Sequence, residues 1–283
     1  MNRHQTIDEN NGPDLEQRSI AASFVAARRD GIALSDYPGT LPSSLEEAYE
    51  IQALAIALRG GRIGGWKLGR IHPPADDRLG ANRLAGPIFA DTIVEAGADG
   101  PTAMPVIRGG FAAAEAEFLL RIGTATDPAK TAWTLAEARA LIDQVAIGIE
   151  IASSPLRAIN DLGPAVTASD FGNNNGLLVG AEFEEWRATD LDTIPVAVAL
   201  NGVEIGRATT ATMLDGPWGA VRFVAELMAK RGLALQPGQW ISTGAVTGVH
   251  PVEIGDRVEA RFGATRSVGC VIVAQGDPAM TGN

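Results

Sequence analysis

Apolar residues recur at helical spacing from Leu15 to Arg29, and Asp30-Gly31 ends that segment. A second helix opens at Ser44-Leu45-Glu46-Glu47, where a serine three residues ahead of a glutamate makes a capping box, and Gly60-Gly61 stops it. After Gly61 the period changes. Short β-like runs dominate: Ile63 to Gly69, Ala114 to Ile122, Val145 to Ala152, Gly176 to Val179 and Val196 to Leu200. Further ones are Val203 to Arg207, Trp240 to Thr243, Val252 to Ile254, Arg257 to Phe262 and Ser267 to Ala274. Asn201-Gly202 between two of these runs is the signature of a type I′ hairpin. Helical spacing returns in two places, Thr134 to Gln144, opened by a Thr134–Glu137 capping box, and Pro217 to Arg231.

Strands and helices do not alternate regularly, which argues against a doubly wound parallel sheet. The pattern predicts one α+β unit: a flexible tail over residues 1–13, a helical N-terminal section over 14–62, and a β-rich body over 63–283. It contains no internal repeat and no low-complexity linker.

Composition narrows the class. With 46% apolar and 20% charged residues among 283, the chain has the make-up of a globular protein able to bury a core without disulfides. Its one cysteine, Cys270, lies in the apolar run Val268 to Val273 and reads as a core thiol, so neither a disulfide framework nor a cysteine zinc site is available. The polar stretch from Met1 to Leu15 lacks the apolar segment of a signal peptide. No window approaches the roughly 18 apolar residues of a membrane span, so the expected location is the cytoplasm. A net charge of −11 without a basic stripe argues against nucleic acid as a partner.

Candidate chemistry sits on two of the β-like runs. In Ala114-Glu115-Ala116-Glu117-Phe118 the two glutamates are two residues apart and so share one face of a strand. Two ionised carboxylates side by side repel, and a divalent cation offsets that cost. Glu150, in Ile147-Gly148-Ile149-Glu150-Ile151, is another lone acid in an apolar run. Three carboxylates without a nearby cysteine or histidine are hard ligands, suited to Mg²⁺ or Mn²⁺. A solvated strand face would show the same alternation, so the pattern alone leaves both readings open. Lys67, among glycines and apolar residues in Gly64 to Gly69, is the second unusual residue. It reads as a group that binds a substrate carboxylate, as an acid or base of lowered pKa, or as a lysine snorkelling off a strand edge. His4 lies in the tail and His72 and His250 each precede a proline, so none is expected to be a ligand.

The segment Gly65-Trp66-Lys67-Leu68-Gly69-Arg70-Ile71-His72-Pro73 resembles the G-x-K-[VI]-G-L-T-x-P segment of the 2-keto-4-pentenoate hydratases. These belong with the 4-oxalocrotonate decarboxylases in the fumarylacetoacetate hydrolase superfamily. The likeness continues in order through Phe89-Ala90-Asp91, Glu115-Ala116-Glu117, Ile149-Glu150-Ile151, Gly202 to Arg207 and Pro217 to Gly232. It closes with Ser242-Thr243-Gly244-Ala245 and Gly255 to Ala260.

The resemblance implies a mixed β-sandwich roll with helices outside, assembled as a homo-oligomer. It also implies Mg²⁺ or Mn²⁺ held by Glu115, Glu117 and Glu150, and Lys67 as the family's lysine. The activity implied is a lyase of aromatic catabolism, a hydratase that adds water to a 2-hydroxy-2,4-dienoate to give a 4-hydroxy-2-oxo acid. The alternatives are a 4-oxalocrotonate-type decarboxylase, an acylpyruvate hydrolase, and a non-catalytic binder of a metal or 2-oxo acid. Asp170 and Asn173 are candidates for handling the water or the distal end of the substrate, and Leu68, Thr243 and Gly244 for lining the pocket. Two segments depart from the family pattern: Gly80 to Pro87 lacks the carboxylate usual there, and Asn173 stands where a serine is usual. Both bear on the second chemical step and leave metal binding intact.

Overall fold

The computed structural model of the chain describes residues 12–97 and 100–277. The expected tail therefore lies mostly outside the described residues, and helix α1 (Gly12–Asp30) already takes in its last two positions. Helix α1 packs on α2 (Leu45–Arg59), burying Ile20 and Phe24 against Ile51 and Ala55. Ser44 caps α2 by accepting from the Glu47 amide. The Glu47 carboxylate answers one residue early, accepting from the amide of Ser43 at 2.9 Å, so the capping box is offset from the spacing read in the sequence. Gly60, at φ 65°, closes the helix.

The β-rich body follows in order: β1 (Ile63–Arg70), α3 (Ala75–Leu79), β2 (Arg83–Phe89), β3 (Ile93–Glu95) and β4 (Thr102–Val106). Next come β5 (Phe111–Ile122), α4 (Leu135–Ala140), β6 (Ile142–Ser154), α5 (Pro164–Ser169) and β7 (Asn174–Glu182). The chain continues through β8 (Val196–Leu200), β9 (Val203–Ala208), α6 (Gly216–Lys230) and β10 (Trp240–Ser242). It finishes with β11 (His250–Pro251), β12 (Arg257–Phe262) and β13 (Arg266–Ala274).

These strands make two sheets. One runs β2-β1-β10-β5-β6-β7-β3, with β11 also on β5; the other runs β4-β13-β12-β8-β9. Parallel pairs (β1 with β10, β3 with β7, β4 with β13) mix with antiparallel ones. The backbone of the fold is the long β5–β6 pair. On one face Phe118, Leu120, Ile147, Ile149 and Ile151 pack against Val198, Ala260, Phe262 and Ile272 of the second sheet, forming the sandwich core. Phe118 meets Phe262 edge-on, with ring centroids 5.1 Å apart. The first sheet also curls until β2 touches β7, enclosing an inner face that carries Ile88, Leu119, Leu177 and Trp240. The result is the α+β roll expected from the sequence.

Two local expectations are corrected, and strand β2 is one that the sequence reading did not contain. The helix expected over Thr134 to Gln144 is only α4, and from Ile142 the chain is already strand, because Ile142 and Val145 pair with Ile122 and Leu120 of β5. Its capping box forms, but the tertiary pairing ends the helix early. Val252 to Ile254 is not a strand; pairing with β5 falls instead on His250 and Pro251. Strand β2 was hidden by Gly86-Pro87, which reads as a breaker; β2 lies at the sheet edge, where a proline costs no ladder bond.

Candidate metal centre and its cavity

Strand register brings the three glutamates together. In the β5–β6 ladder Glu115 faces Glu150 directly, and Glu117 faces Gly148. Because alternate residues share a face, all three carboxylates emerge on the inner side of the roll. Next to them the ladder runs Lys67 of β1, Ser242 of β10 and Leu119 of β5. Gly148 has no room for a side chain: a Cβ would stand 2.3 Å from Leu119 Cδ1 and 2.7 Å from the Leu178 carbonyl oxygen.

One oxygen from each glutamate lies within 4.8 Å of the others. Glu117 and Glu150 are fully buried and Glu115 is 5% exposed, which removes the solvated-face reading. Glu117 Oε2 accepts from Ser242 Oγ at 2.5 Å and from the Gly244 amide at 2.9 Å, while its Oε1 has no hydrogen-bond partner. Glu150 Oε1 accepts from Asn174 Nδ2 at 2.9 Å. Its Oε2 lies 3.3 Å from Lys67 Nζ, an ion pair without the alignment of a hydrogen bond. Lys67 Nζ donates to Asn173 Oδ1 at 3.2 Å, and Asn173 Nδ2 donates to Asn160 Oδ1 at 3.1 Å.

Burial pushes the Glu115 carboxyl up to about 7; Lys67 pulls it down and Glu150 adds to the rise. Burial, then Glu150 and Glu115, hold Glu117 well above the usual carboxylate range. For Lys67, burial favours the neutral amine, but Glu150, Glu115 and Glu117 together outweigh it and raise its pKa. The lowered pKa of an acid–base lysine is thus reversed here, and Lys67 stays a cation.

With all three glutamates ionised, one lysine leaves two negative charges uncompensated in a buried place, with two carboxylate oxygens lacking a hydrogen bond. Such a site is unfavourable without a partner. A hard divalent cation matches it in charge, in its all-oxygen donors and in the spacing of the ligand atoms. Glu115, Glu117 and Glu150 are the residues that can hold it.

A cavity of about 650 Å³ opens over Glu115 and Lys67, with Leu68, Asn173, Thr243 and Gly244 in its wall. Thr243 Oγ1 donates to the Phe118 carbonyl at 2.9 Å, while Leu68 is also part of the sandwich core. Asp170 is not among the residues lining this cavity. Its buried carboxylate is taken by Arg28, with Nε at 2.5 Å and Nη2 at 2.9 Å, and by Ser154 Oγ at 2.6 Å. Arg28 also donates to the carbonyls of Ser153 and Asn174. Asp170 therefore anchors the 170–175 segment to α1.

That segment explains the asparagine at 173. Phe171, Gly172 and Asn173 all have φ between 53° and 62°, a left-handed run that asparagine tolerates better than most residues. The turn presses on β2 at Gly86, where a Cβ would stand 1.9 Å from the Phe171 carbonyl oxygen. Sequence reading missed the contacts of Ser242, Asn174 and Asn160. Ser242 lay in a quoted motif; the others sit in turns or strands that no period revealed.

A curled mixed sheet with a buried carboxylate trio on its inner face, able to hold a metal ion, defines the class. The chain belongs to the fumarylacetoacetate hydrolase family, whose C-terminal domain matches residues 89–273. It is 30% identical over 234 residues to a 4-oxalocrotonate decarboxylase of Pseudomonas sp, covering 81% of this chain and 87% of that protein. It is 24% identical over 258 residues to a 2-keto-4-pentenoate hydratase of Paraburkholderia xenovorans (strain LB400), covering 89% and 94% respectively. In fold it is similar to the 4-oxalocrotonate decarboxylase from Pseudomonas putida G7 complexed with magnesium and adipate. The TM-score is 0.75 at 22% identity, covering 96% of this chain and 100% of that one.

Proposed function

We propose that this chain is a lyase using a divalent cation, Mg²⁺ in the first instance, to convert a 2-hydroxy-2,4-dienoate and water into a 4-hydroxy-2-oxo acid. The observation that carries this reading is the buried trio Glu115, Glu117 and Glu150, with its two oxygens lacking hydrogen bonds, opening on a cavity beside cationic Lys67. Such a cation supplies Lewis-acid stabilisation of the enolate of a 2-oxo acid. The chain's own residues do the rest. Lys67 holds an anionic oxygen of the substrate, and its tether to Asn173 fixes its direction. Asn173, Asn160 and Thr167 form a line of neutral hydrogen-bonding groups along the cavity, suited to holding the reacting water. Thr243 and Gly244 shape the wall while the Gly244 amide orients Glu117. A role in aromatic catabolism, a homo-oligomeric state and a cytoplasmic location belong to the same proposal.

A decarboxylase is the second reading, favoured by the 30% identity to a 4-oxalocrotonate decarboxylase. The two share enolate formation and differ in whether water adds or CO₂ leaves. The test follows dienol absorbance with Mg²⁺ while trapping CO₂. Loss of absorbance without CO₂ is the expected result. Stoichiometric CO₂ from 4-oxalocrotonate would replace the hydratase with the decarboxylase. Tight oxalate binding with no turnover of either compound would leave a non-catalytic binder.

A further inference from the structure

Helix α1 places no residue in the wall of the cavity over the cage, yet one of its side chains reaches the segment that supports the cage. Arg28, near the C-terminal end of α1, is 9% exposed, and its guanidinium holds both ends of one turn. At the first end Nε and Nη2 grip the Asp170 carboxylate as a fork, at 2.5 and 2.9 Å. At the second end Nη1 donates to the Asn174 carbonyl at 2.9 Å and to Asn175 Oδ1 at 3.2 Å. Nη2 also donates at 3.0 Å to the carbonyl of Ser153, which lies beyond Glu150 on the same strand, β6. Ser154 Oγ donates to Asp170 Oδ2 at 2.6 Å and ties β6 to the same knot.

Between the two clamped ends lies the left-handed run Phe171, Gly172 and Asn173, a conformation that an aromatic residue seldom enters. Backbone of this kind persists only where its surroundings fix it. The Phe171 ring is packed edge-on to Phe89, with centroids 5.1 Å apart, and Arg28 Cζ stands 5.2 Å from its centroid. The residues at the end of the run are the two that touch the metal centre. Asn173 Oδ1 accepts from Lys67 Nζ, and Asn174 Nδ2 donates to Glu150 Oε1. Arg28 thus grips the main chain of the very residue whose side chain orients Glu150.

We propose that Arg28 is a positioning residue of the metal centre, fixing the 170–174 turn so that Asn174 meets Glu150 and Asn173 meets Lys67. Helix α1 is thereby part of the site although it lines none of the cavity. This inference rests on the metal-centred reading above, and it holds whether the second step adds water or releases CO₂.

The test is calorimetric titration of the full chain with Mg²⁺ alone. Arg28→Lys keeps a charge for Asp170 but lacks the fork that reaches Asn174 at the same time. Its Mg²⁺ affinity should fall about 10- to 100-fold, the range for groups that orient metal ligands. Asn174→Ala should fall in the same range. Because Arg28 acts through Asn174, the double variant should lie within about threefold of the weaker single variant. Ile20→Ala, on the same helix but buried among apolar side chains, should lower Tm while Mg²⁺ affinity stays within about twofold. Should Arg28→Lys not fold, Asp170→Asn, which keeps the side-chain shape and weakens the clamp, takes its place in the cycle. Mg²⁺ bound normally by the wild type and equally well by Arg28→Lys or by Asn174→Ala overturns the positioning role alone. Losses that multiply in the double variant, or an equal loss in Ile20→Ala, overturn it as well. Failure of the wild type to bind Mg²⁺ overturns the metal-centred reading, and the positioning role with it.

Discussion

Strands β5 and β6 bury both of their faces, and the two faces differ in kind. One carries Phe118, Leu120, Ile147, Ile149 and Ile151 into the sandwich core. The other, offset by a single residue, carries Glu115, Glu117 and Glu150 to the inner side of the roll. Burial is nearly complete on both, so burial is not what separates them. The apolar face gains free energy from leaving water, at about 25 cal/mol per Å². The acidic face loses it and recovers part through Lys67, the Ser242 hydroxyl, the Gly244 amide and Asn174. One face stabilises the strands, and the other uses that stability to hold charges where water would not let them act.

The sharpest break of this comparison is Glu117→Gln. It keeps the volume and the acceptor for Ser242 but removes one cage charge. Metal affinity, by calorimetry with Mg²⁺ or Mn²⁺, should fall at least about 100-fold, since changes outside the ligand set alone cost about 10- to 100-fold. Without metal the same variant should melt no lower than wild type, because burial beside Glu150 and Glu115 already favours the uncharged form at residue 117. Unchanged metal affinity would remove Glu117 from the ligand set. Phe118→Ala, one residue on, should do the opposite. It should cost about 3–5 kcal/mol in denaturant unfolding while the folded fraction keeps its metal affinity within a few-fold. A joint loss of both properties would mean that the two faces are not energetically separable.

The same contrast governs what could be read from the sequence. Period-two alternation put Glu115 and Glu117 on one face, but it could not say whether that face met water. The register setting Glu150 opposite Glu115 depends on a pairing between strands with an entire helix, α4, between them. Local pattern does not encode it, and the collinear resemblance to known relatives supplied what the pattern left open. Lys67 stood out for its apolar neighbours, yet the sign of its pKa shift depends on three carboxylates brought in from β5 and β6. Asp170 shows the limit most clearly. The sequence marks its segment, but only the fold reveals that its carboxylate faces Arg28 of α1.

The smallest expected effect separates the faces by pH. Without metal, Glu115 titrates at about 7 in the folded chain against an ordinary value of 4.5, and Glu117 is shifted in the same direction. Between those two pH values the folded state holds more protons than the unfolded chain, so this site makes stability fall as pH rises. Lys67 is charged in both states across that window and contributes no slope there. A divalent cation reverses the trend, because it binds the carboxylates only after their protons leave. The stabilisation by saturating Mg²⁺, measured as Tm in Mg²⁺ minus Tm in EDTA, should therefore widen from pH 5 to pH 7.5, by on the order of a few degrees. The apolar face carries no titrating group, so in Phe118→Ala the same widening should persist at lower Tm. Glu117→Gln should flatten it. A difference in Tm that stays constant with pH in the wild type would mean that the cage carboxylates are already ionised without metal, and the cost ascribed to the acidic face would then be too large.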